Sequence, residues 1–268
     1  MRVLIWVVVM LGVALPVSSS AQRVIPDTIT VASGTLQLKG LLWRPRSTVA
    51  VPAVLFHGGG GCDDIGEASR ALASRFAARG YAFLWLSRRG AGASRGQGEC
   101  AFEQIDRARA EQGNEAALDV QLRLMTTTEL ADALAALDAL RSIPGIDTRR
   151  IAVAGGSYGG QLALLTGERD KGVRAVLNFS GGAAVWGGSA KLRARLLEAM
   201  AGISAPVFLG YAEDDNAEPG RILGAELRRL GKVHELAIYP SGGHNFVFSA
   251  THPSNEDVFR FISIHLRD

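Results

Sequence analysis

"VAGGSYGGQL", residues 153–162, sets one serine between two pairs of glycines, with an apolar run before it and another after it. Gly155, Ser157 and Gly159 form the pattern G-x-S-x-G. A strand that turns at once into a helix forces its apex residue into a strained backbone conformation. It also brings neighbouring chain so close that a side chain on either flanking glycine would collide. The stretch therefore predicts a strand through "RIAVAG" (150–155), an exposed Ser157 at the apex, and a helix through "GQLALLTG" (160–167). At a helix N-terminus, free N–H groups and the helix dipole favour developing negative charge. A chain with 32 glycines can produce the motif by chance, so the surrounding pattern has to carry the reading.

Working outward, "PAVLFHGG" (52–59), "YAFLWLS" (81–87), "AVLNFSGG" (175–182), "APVFLGYA" (205–212) and "HELAIYP" (234–240) are near-continuous apolar runs, as parallel strands covered on both faces should be. Segments of helical period separate them, such as "EASRALASRFAARG" (67–80) and "TELADALAALDALRSIPG" (128–145). In the second, Leu130, Leu134, Leu137 and Leu140 share a face. Ahead of them, "DTITVASGTLQLKGLLW" (27–43) alternates as two strands about a Ser33-Gly34 turn. The expectation is α/β: a doubly wound, mostly parallel sheet with an N-terminal antiparallel hairpin. A polar stretch, "AFEQIDRARAEQGNEAALDVQLRLM" (101–125), is longer than a connection needs. We read about 96–127 as a helical insertion, placed to cover a site where loops gather over the carboxyl ends of the strands.

Composition bounds the rest. A chain of 268 residues, 47% hydrophobic and 21% charged, fits one large domain, expected over 22–268. Its formal charge of +3 is spread along the chain, which gives no support to nucleic-acid binding. Arg2 precedes the uncharged run "VLIWVVVMLGVAL", which gives way to Pro16 and the small residues of "VSSSAQ". The run is shorter than the roughly 20 residues a bilayer span requires, so residues 1–21 read as a cleavable signal peptide rather than an anchor. The expectation is a secreted or periplasmic protein without a membrane attachment after cleavage. Oxidation is then allowed, and Cys62, next to the "HGGGG" loop, and Cys100, at the start of the insertion, are expected to form a disulfide.

A serine hydroxyl needs a base, and the base needs a group to orient it. Of five histidines, His244 in "YPSGGHNF" (239–246) follows the last strand, where a loop can carry it back over the sheet. The acid should follow the strand before, where "VFLGYAEDDNAEP" (207–219) offers Glu213, Asp214, Asp215 and Glu218. Asp215 is preferred and Asp214 is the alternative. "VLFHGGGG" (54–61) ends a strand in glycines whose N–H groups a substrate can approach, so Gly58 or Gly59 and the backbone N–H of Tyr158 are expected to hold an oxyanion. A phosphate cradle is the rival reading of the glycine run, but no P-loop or dinucleotide pattern follows it. Arg88 and Arg89 read as structural ion-pair residues before substrate-binding ones. Trp85, Phe102, Trp186, Tyr211 and Phe246 read as core by default.

In this order, "HGGGG", "RRGAGAS", "GGSYGG", "YAEDDNAEP" and "YPSGGHNF" resemble the α/β-hydrolase superfamily, closest to its dienelactone hydrolase-like and prolyl-oligopeptidase-like members. The resemblance implies Ser157 as nucleophile, His244 as base, Asp215 as acid, and backbone amides of Tyr158 and a glycine just after His57 as the oxyanion hole. It implies no metal or cofactor. Dienelactone hydrolase proper carries cysteine where this chain has Ser157, so lactone specificity does not carry over. The expected activity is cleavage of small to medium carboxylic esters through an acyl-enzyme. An amidase or peptidase on the same triad, and a non-catalytic binding protein on the same fold, are the alternatives.

Overall fold

The computed structural model describes residues 25–266, so the expected signal peptide lies outside the described residues. The chain opens with a hairpin, β1 (Asp27–Ser33) and β2 (Leu36–Trp43), paired antiparallel across a turn in which Gly34 has φ +57°. Then come β3 (Val51–His57), α1 (Glu67–Ala78) and β4 (Ala82–Leu86). Three consecutive helices follow, α2 (Ala101–Gln112), α3 (Asn114–Thr126) and α4 (Thr128–Ser142). Strand and helix alternate from there: β5 (Ile146–Gly156), α5 (Tyr158–Arg169), β6 (Ala175–Phe179), α6 (Ala190–Gly202), β7 (Val207–Ala212), α7 (Glu218–Arg229), β8 (His234–Tyr239) and α8 (Ser254–His265).

The strands form one eight-stranded sheet in the order β1-β2-β4-β3-β5-β6-β7-β8, parallel from β4 onward. Successive strand residues face opposite sides, which splits the core in two. Ala53 and Leu55 of β3 belong to the side of the core that holds Leu137 and Leu140 of α4 and Leu162 of α5, whereas Val54 and Phe56 belong to the side that holds Phe76 of α1 and Phe261 of α8. The chain leaves β3 toward β4 and returns on the other side of β3 as β5. This reversal opens a crevice at the carboxyl ends of β3 and β5, where ligands bind in open α/β sheets. The register sets His57 against Gly155 there.

Two details differ from the sequence reading, and a third refines it. β5 begins at Ile146, four residues ahead of "RIAVAG", because Ile146 pairs with Val51 across a register shift before the ladder resumes at Ile151. β8 is an edge strand, half-buried from His234 to Ile238, and its Glu235 pairs outward with Arg260 at 2.6 Å. The insertion is helical as expected, in the form of two helices broken at Gly113 with φ +87°. Its apolar positions, Ile105, Ala117, Leu124 and Met125 among them, pack into the core on the α4 side.

Candidate functional site

The elbow is built as its glycines require. Ser157 has φ 56° and ψ −119°, a conformation L-residues seldom hold, and its N–H is fixed to Phe179 O at 2.8 Å. A Cβ at Gly155 would stand 2.1 Å from Gly159 O, and one at Gly159 would stand 2.0 Å from His57 O. No side chain fits in either place. α5 begins at Tyr158, so the Tyr158 N–H belongs to the first helical turn, where no intrahelical acceptor exists.

Beside Ser157 lies a cavity of about 390 Å³, with Ser157 and His244 both on its wall. Gly58 to Gly61 form one side, and Trp85, Ile65 and Phe248 give it an apolar surface. Trp85 stacks on Phe56 with ring centroids 5.2 Å apart, and a Cβ at Gly58 would run into that indole at 2.6 Å. Of the aromatic residues read as core, Trp186, Tyr211 and Phe246 are buried. Trp85 lines the cavity instead. Phe102 packs over Gly60 and against the Tyr158 ring, 5.0 Å between centroids. The insertion does not cover the site as expected, for none of its described residues lines the cavity. Its apolar face is spent on the core, and it reaches the site through Phe102 and the Cys100 tether.

The loops after β7 and β8 bring Asp215 and His244 together. His244 Nδ1 and Asp215 Oδ2 are 2.8 Å apart, the carboxylate largely buried and the imidazole less so. Asp214 turns the other way and accepts the N–H groups of Gly242 and Gly243, at 3.1 and 2.9 Å. Those two hydrogen bonds hold its carboxyl below the usual range. A hydroxyl on a strained apex, an imidazole sharing its cavity, and a carboxylate on the far ring nitrogen are the parts that nucleophilic acyl transfer needs.

The other histidines stand elsewhere. His57 is buried, with Nε2 3.5 Å from Thr166 Oγ1. Burial, and then the Arg88 charge, lower its pKa to about 3, so it stays neutral. His252 bridges Ser254 and Ser241 O. Among the described residues, no group of His, Cys, Asp or Glu is arranged to hold a metal ion.

Residues 38–258 match the dienelactone hydrolase family. The chain belongs to that family. Within this dienelactone hydrolase-family chain, 154 residues are 30% identical to the quorum-quenching protein AidA of Acinetobacter baumannii, covering 57% of this chain and 43% of that protein. The acylaminoacyl peptidase of Pyrococcus horikoshii superposes with a TM-score of 0.68 at 18% identity, over 91% of this chain and 42% of that one. Esterase Est22 gives 0.67 at 17% identity, over 91% and 80%. The chain thus spans less than half the length of the first two. The fold is that of the α/β-hydrolases.

Cys62 and Cys100, expected to pair from their positions, form a disulfide with Cα atoms 6.0 Å apart. Arg88 and Arg89, read from the sequence as structural ion-pair residues, do pair with acids in a charged layer behind the glycine loop; the acids themselves, Glu129 and Asp132, were not legible in the sequence. Arg88 reaches that loop, and Arg89 forms a fork on Asp132 with both contacts at 2.7 Å, while Asp132 also accepts Ser33 Oγ at 2.5 Å. Glu129 and Asp132 are each 1% exposed. Acids at helix positions beside Leu130 and Ala133 are the signal that could have marked a buried ionic patch, but the leucine stripe on the same helix masks it.

Proposed function

We propose that this protein is an exported serine hydrolase that cleaves small to medium carboxylic esters through an acyl-enzyme. Ser157 Oγ attacks the ester carbonyl as His244 takes its proton. Asp215 holds the imidazole tautomer and supports the imidazolium, and the N–H groups of Tyr158 and of Gly58 or Gly59 receive the oxyanion. His244 then returns the proton to the leaving alcohol, and water repeats the sequence. The observation that carries the reading is the Asp215–His244 hydrogen bond, with its imidazole on the same cavity wall as the strained Ser157.

The cavity supports a neutral substrate. Among its described lining residues Arg88 is the one permanent cation, and its guanidinium is committed to backbone carbonyls; Asp63 and Asp64 add negative charge at the same wall. Export has the support of the Cys62–Cys100 disulfide, which suits an oxidising compartment.

A fluorophosphonate probe tests the reading. The wild-type protein should label and should hydrolyse neutral p-nitrophenyl esters faster than hemiesters ending in a carboxylate. Ser157→Ala should neither label nor turn over, with kcat down roughly 10⁴-fold or more. A wild-type protein that neither labels nor cleaves any ester would make the chain a binding protein, and faster cleavage of matched anilides would make it an amidase.

A further inference from the structure

The glycine loop after β3 has no side chains to hold its shape. Four consecutive glycines, Gly58 to Gly61, are the most pliable backbone the chain could place there, yet an oxyanion donor works only if it is aimed before the charge arrives. What restrains the loop is a buried arginine. Arg88 is 8% exposed and sits just past β4. Its Nη1 donates to Gly58 O at 3.0 Å, and its Nη2 donates to Gly59 O at 2.8 Å and to Gly61 O at 3.1 Å.

Peptide planarity turns this into aim. The carbonyl of one residue and the N–H of the next share a plane and point in opposite directions. Fixing Gly58 O toward the guanidinium therefore fixes the Gly59 N–H away from it, and fixing Gly59 O does the same for the Gly60 N–H. Gly59 is also the loop residue against the nucleophile: a Cβ there would stand 3.6 Å from Ser157 Cβ.

The guanidinium is itself held. Its Nε lies 3.5 Å from Glu129 Oε2, and its Cζ lies 4.9 Å from the centre of the Tyr158 ring. Neither Glu129 oxygen has a hydrogen-bond partner among the described residues. The basic group this carboxyl faces within 4 Å is Arg88, and its charge acts on Arg89 as well. At the far end of the loop the disulfide fixes Cys62, and Gly92 N donates to Cys62 O at 3.0 Å.

We propose that Arg88, backed by Glu129, is a positioning residue that clamps the carbonyls of Gly58, Gly59 and Gly61 and so pre-aims the Gly59 N–H as the oxyanion donor. The proposal rests on the hydrolase reading for its chemistry but not for its geometry. It also gives "RRGAGAS" a role. The first arginine is the clamp, and the turn after it seats Cys100, whose N would be 2.1 Å from any Cβ at Gly90.

Removing Arg88 alone would strand a buried carboxylate, so the test variant is the double change Arg88→Met/Glu129→Leu, which replaces the pair with apolar groups. Arg88→Lys is its companion, because an ammonium can face Glu129 but cannot fork across three carbonyls. Both are compared with wild type by thermal melting, by kcat and KM per fluorophosphonate-titrated site on a neutral p-nitrophenyl ester, by inhibition with an alkyl boronic acid, and by hydrogen exchange of residues 57–62.

In a folded double variant, kcat should fall about 10- to 100-fold with KM within about threefold, and boronic acid affinity should fall in parallel, as expected when a donor made for the transition state loses its aim. Exchange across 57–62 should speed up. Arg88→Lys should show the same pattern at smaller amplitude, and it decides the matter if the double variant does not fold. Unchanged kcat per site in a folded variant would overturn the proposal, and so would a rise in KM alone, which would mean that Arg88 binds substrate. If the wild type neither labels nor turns over, the hydrolase reading fails and hydrogen exchange decides the clamp: faster exchange at 57–62 upholds it, and unchanged exchange removes it.

Discussion

Asp215 and His244 meet at 2.8 Å across the ends of two adjacent parallel strands, while Asp214, one residue earlier, ties down the glycine turn that delivers the histidine. Two neighbouring carboxylates thus have separate duties. One faces the ring, and the other faces the backbone that carries the ring.

The two should separate cleanly in mutants. Asp215→Asn keeps the shape but presents a donor where Nδ1–H needs an acceptor, and kcat should fall on the order of 10⁴-fold. Asp214→Asn keeps one carbonyl oxygen for two N–H donors, so the loss should stay within about tenfold, near the worth of one hydrogen bond to a charged group. Steady-state kinetics of both purified variants checks this, and a reversal of the two losses would transfer the acid's role to Asp214.

Much of this was readable because the chemistry demanded glycine. Gly155 and Gly159 are required by contacts at 2.1 and 2.0 Å, and such a demand leaves a mark in sequence. The strand runs were legible for a similar reason, since burial on both faces admits only apolar residues. β8 misled because an edge strand carries a similar apolar run with one side open. The direction of the insertion was hidden as well. Helical period tells that Ile105 and Ala108 share a face, but not whether the face meets the core or the cavity. The Arg88 clamp was the least visible, because its partners are carbonyl oxygens, which every residue has.

The elbow gives a stability test that activity cannot confuse. Gly159→Ala forces a Cβ into the His57 carbonyl and should destabilise the fold by about 3 kcal/mol or more, since backbone cannot yield as a side chain would. Gly187→Ala is the matched control. That glycine is exposed, with nothing within 4 Å of an added Cβ, and the change should stay within about 0.5 kcal/mol. Urea unfolding of the two variants would expose a mistaken elbow by showing equal, small effects.

His57 should leave a signature in the acid limb of stability. Its pKa is lowered to about 3 in the fold, against an ordinary 6.5 when unfolded. Between those values the unfolded chain holds a proton that the native chain refuses. Its contribution is therefore complete above the unfolded pKa and is lost as pH falls toward the folded one. The expected slope from this one residue is about 1.4 kcal/mol per pH unit across roughly pH 6 to 4. His57→Gln should be less stable at pH 7 but flatter over that window. Parallel wild-type and variant curves from urea unfolding at pH 7, 6, 5 and 4 would mean that His57 titrates normally.

The disulfide joins the rim of the cavity to the first turn of α2, so its loss should be felt in both stability and specificity. Cys62 and Cys100 are separated by 38 residues, and in the chain-entropy model closing such a loop contributes roughly 4 kcal/mol by restricting the unfolded chain. The enclosed segment includes α1, β4 and the Arg88 turn, which carry their own packing, so the fold should survive reduction with a lower melting temperature. The effect on the site is local. Without the bond, Cys62 retains the Gly92 N–H contact, and Gly58, Gly59 and Gly61 retain Arg88, so the loop loosens at its outer end while its inner end stays held. Cys62→Ser/Cys100→Ser should therefore lower the urea midpoint strongly, change kcat on a short neutral ester by no more than about threefold, and narrow the preference between short and long acyl chains. Mass spectrometry of the unreduced wild-type protein should find the 62–100 crosslinked peptide; two free thiols there, or an unchanged midpoint in the double serine variant, would remove the bond from the account of stability.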